Sequence, residues 1–186
     1  DLSGHTLAQA EHIPVHLGSM LGIVRAVLER HPVATIKAGD TFITNDPFSG
    51  GGTHLPDLAV LSPVFWGDQP VAFLANLAHH ADFMDRGHDH IFQEGLRIPP
   101  IKIIDDGDIQ HDILEMILCN CQVPRERKGD LQAQFAANRL GQRRMSELHH
   151  HYGSEMITAA GQALLDYAER KARAGIQAIP DGEYQY

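Results

Sequence analysis

Thirteen histidines among 186 residues are the feature of this sequence that bears most directly on chemistry. Imidazole is the commonest metal ligand and titrates near neutral pH, so position decides what each ring does. His54 and Asp57 form an H-x-x-D pair, and Pro56 between them indicates a tight turn rather than a helix. Such a turn lets an imidazole and a carboxylate converge on one point. A second stretch reads His79-His80-Ala81-Asp82. Two histidines and a carboxylate on one side of an ion leave coordination positions open, the arrangement of catalytic sites, and their N/O donors suit Mn, Fe(II) or Zn. The competing arrangement is a loop core in which histidines hydrogen-bond carboxylates; the pattern itself fits both. His12, His16, His88 and His90 are secondary candidates. His5, His31 and His111 lie beside turn-like or polar residues and are expected in solvent. His149, His150 and His151 point in different directions around a helical pattern and are expected on the surface.

Other chemistry has thinner support. Thr44 to Asp57 contains Gly50-Gly51-Gly52, which permits close backbone approaches, but no lysine follows as in a phosphate-binding loop. Ser49 is the one candidate nucleophile and lacks a G-x-S-x-G context. Glu94 and Arg97, in a stretch bounded by Gly and Pro, are candidates to position a substrate or to pair with each other. Asn138, Arg139, Arg143 and Arg144 lie on a helix; Arg139 and Arg143 share a face, where they could bind an anion or a partner carboxylate, with solvated surface or an ion pair with Glu147 the expected arrangement. Cys119 and Cys121 are too few and too close for a disulfide framework or a zinc knuckle, and are expected as core or half-buried thiols.

The elements that must position these groups fall into two parts. Gly, Pro, Asp and β-formers dominate about residues 32–110, and helix formers dominate about 112–175. The expectation is an α+β fold, a mixed sheet with glycine-rich loops followed by a helical part, over a single domain or core fragment spanning 1–186. Met20, Val24, Val27 and Leu28 predict a helix over 18–30. Residues 41–44 alternate as a short strand. Residues 58–65 and 71–78 form a strand pair joined at 67–70, apolar enough to be buried on both faces, which sets His79 and His80 at a strand end. Helices are expected over 113–121 and 124–152, with Gly153 as a breaker. A further helix carries a stripe of Met156, Ala160, Ala163, Leu164 and Tyr167, expected in the core. With 15 basic against 24 acidic residues the net charge is −9, which argues against a nucleic-acid partner. No apolar run reaches membrane-spanning length and no export signal is visible, so a cytoplasmic protein is expected.

Laid side by side, these segments resemble the hydantoinase B/oxoprolinase family. The resemblance rests on residues 10–20 (AEHIPVHLGSM), 39–57 (GDTFITNDPFSGGGTHLPD), 78–82 (AHHAD), 93–100 (QEGLRIPP) and 129–141 (GDLQAQFAANRLG), in the family's order and across nearly the whole chain. It implies a B-type subunit of an ATP-dependent hydrolase that opens a cyclic amide such as a hydantoin or 5-oxoproline. It also implies an oligomeric complex with an A-type nucleotide-binding subunit or fused domain, which holds the ATP. It implies a divalent metal, manganese before zinc or iron, at His54, Asp57 and His79. His80 and Asp82 become catalytic candidates that orient a ligand or move a proton, and Glu94 and Arg97 become substrate-binding candidates. The alternatives are the alpha-type subunit of an acetone-type carboxylase and a non-catalytic assembly module. Family chains run to several hundred residues, so a fragment is expected. The short segment 83–90, where the family has a Gly-Gly turn and a longer loop, is a departure at the substrate pocket.

Overall fold

The structure, a computed structural model, describes residues 1–10, 14–50, 52–80 and 89–184. Two short helices, α1 (Pro14–Ser19) and α2 (Ile23–Arg30), replace the single helix expected over 18–30. A five-stranded sheet follows: β1 (Thr41–Thr44), β2 (Asp57–Trp66), β3 (Gln69–His79), β4 (Ile101–Asp105) and β5 (Asp108–Ile109). Their order is β3-β2-β1-β4-β5, and every pairing is antiparallel. The α+β fold stands, with an antiparallel sheet in place of a mixed one. Short connections explain this, because parallel neighbours need long crossovers.

Alternation along the strands divides the core. Ile43 and Val60, paired across β1 and β2, join Leu58, Ile103 and Ile104 on one face. Helices α3 (His111–Cys119) and α4 (Pro124–Tyr152) cover that face through Leu114, Ile117, Leu131 and Phe135. Phe42 and Leu61 face the other way, where Ile23 and Val27 of α2 pack on them. β2 is buried from Asp57 to Val64, as expected, but β3 is an edge strand and only partly buried. Its edge position also explains why Pro70 is tolerated within it.

No strand was expected over 101–109, yet Asp106-Gly107 is a hairpin dipeptide. Both residues take positive φ, 52° and 96°, as a tight two-residue turn requires. The turn packs directly on Gly39, where a Cβ would lie 2.6 Å from Asp106 C and Gly107 N. Buried Asp40 fixes the same corner, accepting from Lys37 N–H, Asp106 N–H and Lys102 Nζ at 2.9, 2.9 and 3.0 Å. Burial pulls the Lys102 pKa down, but its bonds to Asp40 and Asp105 outweigh this and hold it above the ordinary value.

On α4 the side chains Gln134, Asn138 and Gln142, one turn apart, add amide contacts to the hairpin beside the apolar ones of Leu131 and Phe135. Gln134 donates to Leu58 O at 2.9 Å, Asn138 to Ser62 Oγ at 3.1 Å, and Gln142 to Pro63 O at 2.7 Å. Asn76 of β3 donates to Asn138 Oδ1 at 2.8 Å and to Gln134 O at 2.9 Å. Arg144 pairs with Glu147 at 2.7 Å.

Contacts divide the chain into residues 1–147 and 148–186. The second unit holds the end of α4 and α5 (Ser154–Gln177), separated by Gly153 at φ 78°. Two expectations are corrected here. His149 is buried, its Nδ1 3.2 Å from Ser154 Oγ across the corner. Met156, Leu164 and Tyr167 are exposed at 60, 52 and 55% instead of forming core. Periodicity reports an amphipathic helix, not what covers it. Cys119 is likewise exposed and Cys121 partly buried. No helix among the described residues is long and apolar enough to cross a membrane.

The Gly39 contact is backbone against backbone and cannot relax through a side chain. Gly39→Ala is expected to destabilise by about 1–3 kcal/mol. Gly129→Ala, within α4 and in open space, is expected to stabilise by roughly 0.5–1 kcal/mol. Urea denaturation of both variants checks the contrast; equal effects would contradict the packing described.

Candidate metal centre

The loop that carries His54 is built around Asn45, fully buried just beyond β1. Asn45 Nδ2 donates to Leu55 O at 2.7 Å and to Leu96 O at 2.9 Å, while Oδ1 accepts from Ile98 N–H at 2.6 Å. Its own N–H donates to Ile98 O at 3.1 Å, and Thr44 Oγ1 donates to the same oxygen at 3.0 Å. One amide thus ties the H-x-x-D turn to the segment holding Glu94 and Arg97. Asp46 caps the single turn Pro47–Ser49, accepting from Phe48 N–H and Ser49 Oγ. Ser49 therefore pairs with a carboxylate, not with an imidazole that would activate it. Gly50, at φ 81°, lies against Gly22 so closely that a Cβ would meet Gly22 Cα at 3.0 Å.

Strand register supplies the other half. Asp57 opens β2 and His79 ends β3, and the two are directly paired. A bulge between Val64 and Phe65 shifts the register by one residue. Because side chains alternate between faces, an unbulged hairpin would set Ala78 opposite Asp57 and turn His79 to the other face. With the bulge, one ligand atom from each of His54, Asp57 and His79 lies within 4.8 Å of the others. His54 Nε2 is 3.3 Å from Asp57 Oδ1, and the two imidazole rings are 4.9 Å apart.

Asp57 is fully buried, whereas His54 is partly exposed and His79 exposed. Thr53 Oγ1 donates to Asp57 Oδ2 at 3.0 Å, and His16 Nδ1 lies 3.6 Å from that same oxygen. Oδ1 is buried without a hydrogen bond and faces His54. A carboxylate removed from water needs a compensating cation or donors. The described ion-pair partners are histidines, with an open side toward solvent. This donor set fits a divalent cation bound by imidazole nitrogen and carboxylate oxygen.

The other candidates are placed differently. His80 is buried, its N–H donating to Pro56 O at 2.8 Å and its Nε2 3.0 Å from Gln134 Oε1. Burial holds its pKa below the ordinary histidine value. Glu94 accepts from Leu55 N–H at 3.2 Å, so it touches the metal-candidate turn through the backbone. Arg97 lies over the rings of Phe48 and Phe92 and 3.7 Å from Asp46 Oδ2. The two therefore hold different partners. His90 caps the turn Ile91–Gln93. Asp82, His12, His88 and Gly51 lie outside the described residues. Asn45 and Thr53 stand in the sequence only as members of the glycine-rich stretch, with no part assigned to them; Thr53 immediately before H-x-x-D is the readable signal.

The family model described as Hydantoinase B/oxoprolinase matches residues 1–186. The B-type subunit of a putative D-/L-hydantoinase from a Pseudomonas species is 31% identical over 99% of the chain, which spans 33% of that relative's length. The crystal structure of an ATP-dependent caprolactamase from Pseudomonas jessenii superposes with a TM-score of 0.87 at 32% identity, covering 95% of this chain and 31% of that one. A nucleotide-free acetone carboxylase shares the fold, with a TM-score of 0.86 at 20% identity over 96% of this chain and 25% of the other.

Asn45→Ala removes the staple and leaves Leu55 O, Leu96 O and Ile98 N–H without it. The expected cost is about 1–3 kcal/mol in urea denaturation. Asn45→Asp keeps an acceptor for Ile98 N–H but loses both donated bonds, and no recovery is expected. A loss below roughly 0.5 kcal/mol, the range of surface changes, would contradict this role.

Proposed function

The chain belongs to the hydantoinase B/oxoprolinase family, and on that premise we propose that it forms the metal-bearing core of a B-type subunit in an ATP-dependent cyclic-amide hydrolase. The observation that carries the reading is the convergence of His54, Asp57 and His79 within 4.8 Å, around a carboxylate with no exposure. A divalent ion held by these three, manganese first and zinc or iron next, would polarise an amide carbonyl or lower the pKa of a bound water. ATP is used on an A-type partner subunit or fused domain.

The chain's own groups prepare that site. Thr53 holds Asp57 Oδ2 and leaves Oδ1 directed at His54. His80 acts as a positioning residue: its ring is tied to Gln134 and its N–H to Pro56, so the strand end carrying His79 is fixed to the turn carrying His54. Asp82 is the candidate to hold or move a proton. Glu94 acts on the site through Leu55 N–H, and Arg97, stacked between two exposed aromatic rings, offers its guanidinium to a substrate or partner.

Elemental analysis after dialysis tests the centre. The full-length protein is expected to retain about one manganese, zinc or iron per chain, and His54→Ala and His79→Ala are expected to lose it. Metal should also raise the melting temperature of the parent and of neither variant, because ligand binding to the folded state alone stabilises it. Full metal content in both variants would overturn the assignment.

A further inference from the structure

We propose that the cavity between α1–α2 and the β2–β3 hairpin is an apolar ligand pocket lined in part by His16, and that it takes the hydrocarbon part of an uncharged molecule. The inference rests on the metal-centre reading above and adds to it the class of compound the centre receives. The cavity measures about 470 Å³, within the ~300–1,000 Å³ of pockets that enclose drug-sized molecules. Met20, Ile23 and Val24 form one wall, and Leu61, Phe73 and Leu77 of the hairpin face them. Residues 4–10 close a third side.

Charge decides the class of occupant. Among the described residues no lysine or arginine lines the cavity. A carboxylate or phosphate entering it would lose its hydration without a lysine or arginine in return. Three of its polar side chains are held by neighbours. Asp1 and His5 pair with each other, and Asn76 is bonded to Gln134 and Asn138. His16 differs because it belongs to both places: it lines the cavity, and its Nδ1 lies 3.6 Å from Asp57 Oδ2. An occupant with its hydrocarbon among Leu61, Phe73 and Leu77 thus presents its polar end at His16, beside the carboxylate of the candidate centre.

Ala75 gives a direct test. It is an exposed position on β3, opposite Leu61, and it lines the cavity at its rim. Calorimetric titration of the metal-loaded full-length protein would use 5-benzylhydantoin and its para-carboxylated counterpart, matched in ring and arm. The neutral probe is expected to bind at least tenfold more tightly. Ala75→Trp should weaken the neutral probe by tenfold or more with unchanged metal content, and Ala75→Arg should shift preference toward the carboxylated probe. Equal affinity for both probes, or an Ala75→Trp variant that binds like the parent, would overturn the pocket. If metal is bound normally while probe binding ignores Ala75, the pocket fails and the centre stands. If no metal is bound but probe binding still depends on Ala75, the pocket stands and the centre reading fails.

Discussion

A single buried amide holds the candidate centre in place. Asn45 spends both donated bonds and its acceptor on backbone groups from two loops, at Leu55, Leu96 and Ile98. Loops cannot be buried unless their backbone groups find partners, and here one side chain supplies several of them. Its effect is to fix the height of the turn that starts β2. Several of the candidate groups gather at that turn: His54 within it, Asp57 at the strand's first position, and Glu94 bonded to its Leu55 N–H. The polar row on α4 performs the same service from the opposite side. Gln134 holds Leu58 O and His80 together, so the two strand ends that carry Asp57 and His79 share one anchor.

The second constraint is register. Strand pairing brings Asp57 and His79 side by side although about 20 residues of hairpin lie between them, and the bulge at Val64/Phe65 decides which side chain of β3 appears there. The centre therefore depends on a backbone irregularity near the far end of the hairpin. This explains why a buried carboxylate at the strand start can meet an exposed imidazole: β2 is interior and β3 is an edge. The candidate ligands are thus rooted in the core at Asp57 and exposed at His79.

Much of this is legible in the residues. The H-x-x-D turn with its proline, the strand end at His79 and the long helix from Pro124 to Tyr152 all follow from local rules, and all are found. What is illegible depends on partners distant in sequence. Asn45 acts on groups 10, 51 and 53 positions away, and no local pattern announces such bonds. His16 has ordinary helical neighbours, and only the folded chain brings it near Asp57. The stripe on α5 reads correctly as amphipathic and wrongly as core, because burial is a property of two surfaces. His149 errs the other way: the corner at Gly153 lets Ser154 reach back to it. The β4–β5 hairpin is readable from Asp106-Gly107, whose positive φ values need that residue pair.

The central claim is that a metal ion sits among His54, Asp57 and His79. Anomalous diffraction from crystals of the full-length protein grown with manganese, recorded on both sides of the manganese absorption edge, tests it most directly. The account predicts one strong edge-dependent peak at about 2.0–2.2 Å from a nitrogen of each histidine and from an Asp57 oxygen, the usual distances for such donors. A map with no peak there, or a peak coordinated by other side chains while the three remain joined only to each other, would contradict it.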